Sequence, residues 1–239
     1  VSAATALLAA VVAGCGAGEN IAPTPREAVD AAPDRVRPVA LRPGRFSLRV
    51  DRPLDVRDAP EGRIVGRVGR RTPFGTRTAL AVVGRRGGWL AVMTDLTPNG
   101  APGWVPTRGA VLVRQPYAIT IDRSARRLSV LRSGAEVRAF DVAVGAPGTT
   151  TPLGRAGVTD TLVFPTGSGP YGCCAVALTS RQANLPPTWK GGAQIAIHGT
   201  ADESFIGRAV SLGCVRGRNA DLRWVIRNVP AGALVTVVR

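Results

Sequence analysis

The chain reads as a mainly β protein: a small barrel, then a larger sheet-built body with one or two short helices. Three observations predict it. Glycine and proline are abundant, 29 and 19 of 239 residues, and many separate short β-rich runs. Those runs alternate apolar and polar residues at the strand period. Only the stretch near Ala220–Arg227 has a helical pattern with its own stop signals. Hydrophobic residues at 45% and charged residues at 20% supply a real core and exclude a wholly disordered chain. No apolar run reaches the roughly 20 residues of a spanning helix, which excludes a polytopic membrane protein.

Residues 1–15 begin this order. The first 18 residues carry no charge, and Ala3 to Ala13 is apolar, ending in small residues, as a secretory signal does. Val12-Ala13-Gly14-Cys15 resembles a bacterial lipobox. That resemblance implies lipidation of Cys15 and attachment to a membrane by an N-terminal lipid anchor. No Lys or Arg precedes the apolar run and the chain starts with Val, a departure from the signal pattern; a buried helix is the plainer alternative. Residues 16–44 carry Pro23, Pro25, Pro33, Pro38 and Pro43, which predict an extended tether.

Residues 45–115 hold short runs at Phe46–Val50, Ile64–Val68, Leu80–Val83, Trp89–Met93 and Ala110–Val113, the pattern of a small antiparallel barrel. Leu54-Asp55-Val56-Arg57-Asp58-Ala59-Pro60, Gly88-Trp89-Leu90-Ala91-Val92 and Gly103-Trp104-Val105 resemble bacterial SH3-like domains. Such modules commonly bind wall peptides or orient a neighbouring enzyme; Trp89 and Trp104 serve equally well as core residues.

Residues 116–239 open with a β-meander: Tyr117–Asp122, Leu128–Leu131, a Ser133-Gly134 turn and Val137–Val144. Further strands are predicted at Gly157–Val163, Ala175–Leu178, Ala193–Ile197 and Ala233–Val238. The single helix is placed near Ala220–Arg227, with Asn219 as its cap, Asp221 in its first turn, and Pro230 and Gly232 as stops.

The chain has one histidine, His198, and four cysteines: Cys15, Cys173, Cys174 and Cys214. Any catalyst joining a cysteine to a histidine base must therefore use His198. Cys214 sits in Ser211-Leu212-Gly213-Cys214-Val215-Arg216. Gly213 permits a tight turn and close approach of a substrate. A neighbouring positive charge lowers a thiol pKa, and backbone N–H groups at Gly213 and Cys214 are placed to receive an oxyanion. Arg216 is suited to gripping a carboxylate.

Ile197-His198-Gly199-Thr200, Ile206-Gly207 and the Ser211–Arg216 run together resemble the YkuD-type L,D-transpeptidase catalytic domain. Thr151-Pro152-Leu153-Gly154, Tyr171-Gly172 and Trp189 with Gly191-Gly192 extend the likeness over residues 116–239. The resemblance implies an L,D-transpeptidase-type β-sandwich, with Cys214 as nucleophile, His198 as proton acceptor and donor, the Gly199 carbonyl as orienter, and Gly213 in the oxyanion region. It assigns Tyr171, Ser211 and Arg216 to substrate binding and requires neither metal nor organic cofactor. Peptidoglycan stem peptides would be the substrate, outside the cytoplasm, and carbapenems would acylate Cys214. Many members have a second histidine where this chain has Leu212, which puts that imidazole's contribution to acceptor activation in doubt.

Net charge is +15, from 31 basic and 16 acidic residues. The basic residues stripe no helix and form no nucleic-acid-binding motif, so nucleic acid is not the expected partner. An anionic wall polymer or membrane surface suits the charge; the excess of Arg over Lys also fits a GC-rich genome. Three rivals stand beside the transpeptidase. A papain-like peptidase would need Cys173 or Cys174 ahead of His198; a zinc site would need both with Cys214 and His198, without the usual ligand spacing. A non-catalytic wall-binding lipoprotein takes Leu212 as its argument. Cys173 and Cys174 read as buried small hydrophobes, at most one facing the site if both lie on a strand, or as partners in a disulfide that spacing does not assign. Asp202 and Glu203 read as solvated loop charges or as contacts for an acceptor amine. Nothing in the sequence fixes an oligomeric state.

Overall fold

Alternating β-rich runs punctuated by turns build two sheets in succession. The computed structural model describes residues 42–164 and 169–239. The signal, Cys15 and most of the expected tether lie outside the described residues.

The first sheet contains β1 (Phe46–Arg49), β2 (Leu54–Arg57), β3 (Ile64–Val68), β4 (Ala79–Arg86), β5 (Trp89–Val92), β6 (Gly103–Pro106) and β7 (Val111–Arg114). Its order is β3-β2-β6-β5-β4-β1-β7, every pair antiparallel. Leu48, Val50, Val56, Leu80, Val82, Leu90, Val92 and Val105 meet in one core. Trp89 is half-buried, with the Arg57 guanidinium 5.6 Å from its ring. Trp104 packs with Ala81, Met93 and Leu234, where the first sheet meets the second.

The second sheet contains β8 (Tyr117–Asp122), β9 (Arg127–Arg132), β10 (Ala135–Asp141), β12 (Gly154–Val163), β13 (Cys174–Arg181), β14 (Gln194–His198), β16 (Val215–Arg216) and β17 (Leu234–Val238); β11 (Val144–Gly145) and β15 (Ala209–Ser211) pair separately. The order is β10-β9-β8-β17-β12-β13-β14-β16. β12 turns the corner: Gly154–Gly157 pair with β17, and from Val158 onward the strand pairs with β13, with a register shift at Val158/Asp160. A strand that changes partner at a bulge folds one sheet into two layers. Ile119, Leu128, Val158, Val176, Ile197 and Val235 fill the core with Leu222 and Val225 of α1 (Asn219–Asn228), the one α-helix among the described residues.

Three details differ from the sequence expectation. Val137–Val144 is not one strand: the chain leaves β9 after Asp141, and Ala143 exchanges backbone hydrogen bonds of 2.8 and 2.9 Å with Arg216. Asn219 is not the cap of α1. Arg218 precedes the helix with no side-chain cap, and the Asn219 carboxamide is engaged elsewhere. Gly44, the last residue of the expected tether, already belongs to the folded body, donating its N–H to Val82 at 2.9 Å.

Polar contacts fix the two sheets together within the compact unit. The Thr72 hydroxyl donates to buried Asp160 at 2.5 Å, Arg181 pairs with Asp95 at 2.8 Å, and Asn99 exchanges two hydrogen bonds with the Arg181 backbone.

Candidate active site

His198 ends β14 and Cys214 immediately precedes β16, and these two strands pair in parallel. The register places Ile197 opposite Val215 and His198 opposite Arg216. Ile197 and Val215 are fully buried in the core. Alternation then puts Ala196, His198, Cys214 and Arg216 together on the other face. The Ala196 N–H donates to Cys214 Sγ at 3.4 Å, which fixes the sulfur beside the histidine strand.

The imidazole is oriented by its own chain. His198 Nδ1 lies 2.6 Å from the Gly199 carbonyl oxygen. A carbonyl only accepts, so Nδ1 carries the proton and Nε2 keeps the lone pair. Tyr171 stands edge-on to the ring at 5.0 Å, and the residue is 41% exposed. Thus Cys214, His198, Gly199, Tyr171 and Arg216 are brought together.

Burial dominates the electrostatics. It lowers the His198 pKa from 6.5 to about 4; the Gly199 hydrogen bond opposes this and the Arg216 charge adds to it. Burial also pushes the Cys214 thiol up, while the Ala196 N–H and the Arg216 charge pull it down. The expectation of a thiol lowered by a neighbouring positive charge is therefore corrected. Arg216 acts in that direction, but desolvation outweighs it, and the resting pair is a neutral thiol beside a neutral imidazole.

The loop before Cys214 corrects two further expectations. Ser211 is buried, and both of its hydroxyl bonds are spent inside the loop. Its Oγ donates to the Cys214 carbonyl at 2.5 Å and accepts the Gly213 N–H at 3.0 Å. Ser211 therefore shapes the turn before Cys214, and its buried hydroxyl is already bonded within that turn. The Gly213 N–H is likewise not free for an oxyanion; among the described residues, no internal acceptor takes the Cys214 N–H. Gly213 itself has φ +113°, and a Cβ there would lie 2.4 Å from Gln182 Nε2.

Gln182 was not singled out by the sequence. Buried after β13, its amide donates to the carbonyls of Thr149, Thr150 and Leu212 at 3.0, 3.2 and 3.3 Å. Thr151 Oγ1 donates to the Gly213 carbonyl at 2.9 Å, tying the Thr151-Pro152-Leu153-Gly154 motif to the cysteine turn. Asn219 was also missed in this role; polarity at a helix start suggested only a cap. Arg216 lies 5.2 Å above the Phe205 ring, and its buried Nε has no partner among the described residues. Asp202 caps the 3-10 turn Glu203–Phe205, and Glu203 lies 3.5 Å from Arg218, so both acids are engaged locally. Cys173 and Cys174 form a vicinal disulfide; β13 begins only at Cys174, so strand alternation does not separate them.

The chain is similar in sequence to known proteins. The model of the YkuD family, the L,D-transpeptidase catalytic domain, matches residues 116–237. The YkuD protein of Bacillus licheniformis is 30% identical over 122 residues, covering 51% of this chain and 66% of the relative. That of Bacillus subtilis is 30% identical over 124 residues, covering 52% and 67%. The matched stretch thus spans about two thirds of each relative's length. An L,D-transpeptidase structure from Mycobacterium smegmatis is 19% identical with a TM-score of 0.40, covering 60% of this chain and 76% of that one. The chain belongs to the YkuD family of L,D-transpeptidase catalytic domains.

Proposed function

We propose that the protein is a peptidoglycan L,D-transpeptidase in which Cys214 is the nucleophile and His198 the base. The observation that carries this is the shared face of β14 and β16, where the only histidine and Cys214 meet around an imidazole whose Nδ1 proton is held by Gly199.

His198 Nε2 takes the thiol proton as Cys214 Sγ attacks the amide between residue three of a tetrapeptide stem and its terminal D-Ala. The carbonyl oxygen takes the negative charge, with the Cys214 N–H as the donor left for it. The C–N bond breaks, the imidazolium returns its proton to the leaving amine, and D-Ala departs. A thioester remains on Cys214. The side-chain amine of a second stem's diamino acid then attacks, His198 takes its proton, and the thiolate leaves. The product is a 3→3 cross-link. With water as acceptor the same intermediate gives an L,D-carboxypeptidase.

Tyr171 and Arg216 are the side chains offered to the stem: one exposed at the imidazole edge, the other with an unpartnered Nε. The first sheet fits an SH3-like module holding the catalytic body near its polymer, with the division between them near residue 115. Cys15 lipidation and the proline-rich tether would place the enzyme at the outer face of the bacterial cytoplasmic membrane, in the cell wall. The net charge of +15 suits anionic wall polymers, an attraction that salt should weaken. A binding-only lipoprotein is favoured by two observations, Leu212 and the raised thiol pKa.

The test is incubation with a tetrapeptide stem, followed by intact-protein mass and product analysis. D-Ala release with a thioester on Cys214 and a cross-linked dimer supports the transpeptidase. Release with only tripeptide makes it a carboxypeptidase. No release and no adduct leaves the binding-only reading.

A further inference from the structure

Three chain segments converge behind the imidazole, and one carboxamide joins them. The Cys173 N–H donates to Asn219 Oδ1 at 2.9 Å. Asn219 Nδ2 donates to the Thr200 carbonyl at 3.0 Å. The fit is close: a Cβ added at Gly172 would lie 2.3 Å from Asn219 Oδ1, and one at Gly199 would lie 2.2 Å from it. Two glycines are therefore needed for this carboxamide to sit where it does. The peptide immediately before the gripped Thr200 carbonyl carries the Gly199 carbonyl that holds His198 Nδ1. The remaining bonds close the ring: the Gly199 N–H donates to Cys174 at 3.0 Å, and the Gly217 N–H donates to the His198 carbonyl at 2.9 Å.

We infer that Asn219 is a positioning residue for the base: its carboxamide clamps the 172–173 and 199–200 segments so that the Gly199 carbonyl faces His198 Nδ1. The inference deepens the transpeptidase reading and rests on it for its catalytic meaning. Its geometry does not depend on that reading. The Asn219 carboxamide bonds to neither the Cys214 thiol nor the imidazole, so it acts through Gly199. The groups that face this clamp are the Gly199 carbonyl, the Cys173 N–H, the Thr200 carbonyl and, across the imidazole, Arg216 and Tyr171.

Asn and Asp differ here in one useful way. Asn219→Asp keeps the acceptor for Cys173 but loses the donor to Thr200, setting a carboxylate against a carbonyl. It also brings a negative charge beside the peptide next to His198, which favours imidazolium. Asn219→Ala removes both bonds without adding charge.

The chain has a single histidine, so imidazole NMR reads one ring directly. In the parent protein the signals should report a neutral ring protonated at Nδ1 that titrates near its pKa of about 4. Asn219→Asp should move that titration upward by about a unit or more. Asn219→Ala should weaken the preference for the Nδ1–H tautomer. In carbapenem acylation read by intact mass, both variants should slow roughly 10- to 100-fold, the usual scale for a misplaced catalytic group. The acid limb of the rate should follow the NMR titration in Asn219→Asp. If Asn219→Ala does not fold, Asn219→Asp still decides. An unchanged tautomer and titration in a folded variant would overturn the inference. A parent protein that shows the expected ring but forms no adduct would instead overturn the transpeptidase reading and leave the clamp standing.

Discussion

The two sheets are made of similar short strands, yet they bury different chemistry. Residues 46–114 bury hydroxyl side chains such as Ser47, Thr78 and Thr94 but no histidine or cysteine, and their core is aliphatic. The second sheet buries His198, Gln182, Asp160, Thr151, Thr200 and Ser211 as well as its own larger aliphatic core. Buried polar groups are costly unless every hydrogen bond is made. Around the site most of those bonds are made by side chains from distant segments, Gln182 and Thr151 for the cysteine turn and Asn219 for the histidine side, while Arg216 Nε is left without a partner among the described residues. The difference separates a packed apolar support from a region whose buried polar groups are held by hydrogen bonds between distant segments.

The comparison can be broken from either side. The largest expected effect is on chemistry: His198→Gln should lower the rate of thiol acylation by roughly 10²–10⁴-fold, the range for a lost general base, while the protein stays folded. A stopped-assay mass measurement checks it. Next comes the support. Leu90 is 1% exposed in the first core. Leu90→Ala should cost about 2–5 kcal/mol in denaturant unfolding, yet leave acylation stoichiometry unchanged below the melting transition.

The third effect is a pH dependence belonging only to the second sheet. Above pH 6.5 the imidazole is neutral in both folded and unfolded chains. Between 6.5 and about 4 the unfolded chain takes up a proton that buried His198 refuses. Stability is therefore lost as pH is lowered through that window, by about 3 kcal/mol if the full shift is realised. Urea unfolding at several pH values should show this slope in the parent and lose it in His198→Gln. The smallest effect is local. Gly213→Ala places a Cβ against Gln182 at a φ of +113° and should destabilise by about 1–3 kcal/mol. It should also slow acylation, because the turn that presents Cys214 must shift.

Much of this was legible in the sequence, for identifiable reasons. With one histidine in the chain, any cysteine–histidine pair has to use His198, and the Ser211–Arg216 run pointed to Cys214 as its partner. Alternation located β8 at Tyr117–Asp122 because that strand has one buried and one open face. Alternation failed at Val142–Val144, where backbone bonds to Arg216 pull the chain out of its meander. Ser211 was misread because a polar residue beside a nucleophile looks the same whether its hydroxyl points to a substrate or into a turn. Asn219 was misread because capping and clamping use the same carboxamide, and only the fold brings residues 172–173 and 199–200 to it. Gln182 left no signal: its partners are backbone carbonyls, which any sequence supplies.

The central claim is that Cys214, half-buried and a neutral thiol at rest, becomes a nucleophile when His198 takes its proton. The most direct test is the intact mass of the protein after mixing with a carbapenem, beside Cys214→Ala. The account predicts a single adduct on the parent, none on Cys214→Ala, and a rate that declines in acid as His198 becomes protonated. No adduct on the parent, or an adduct that persists in Cys214→Ala, would contradict it.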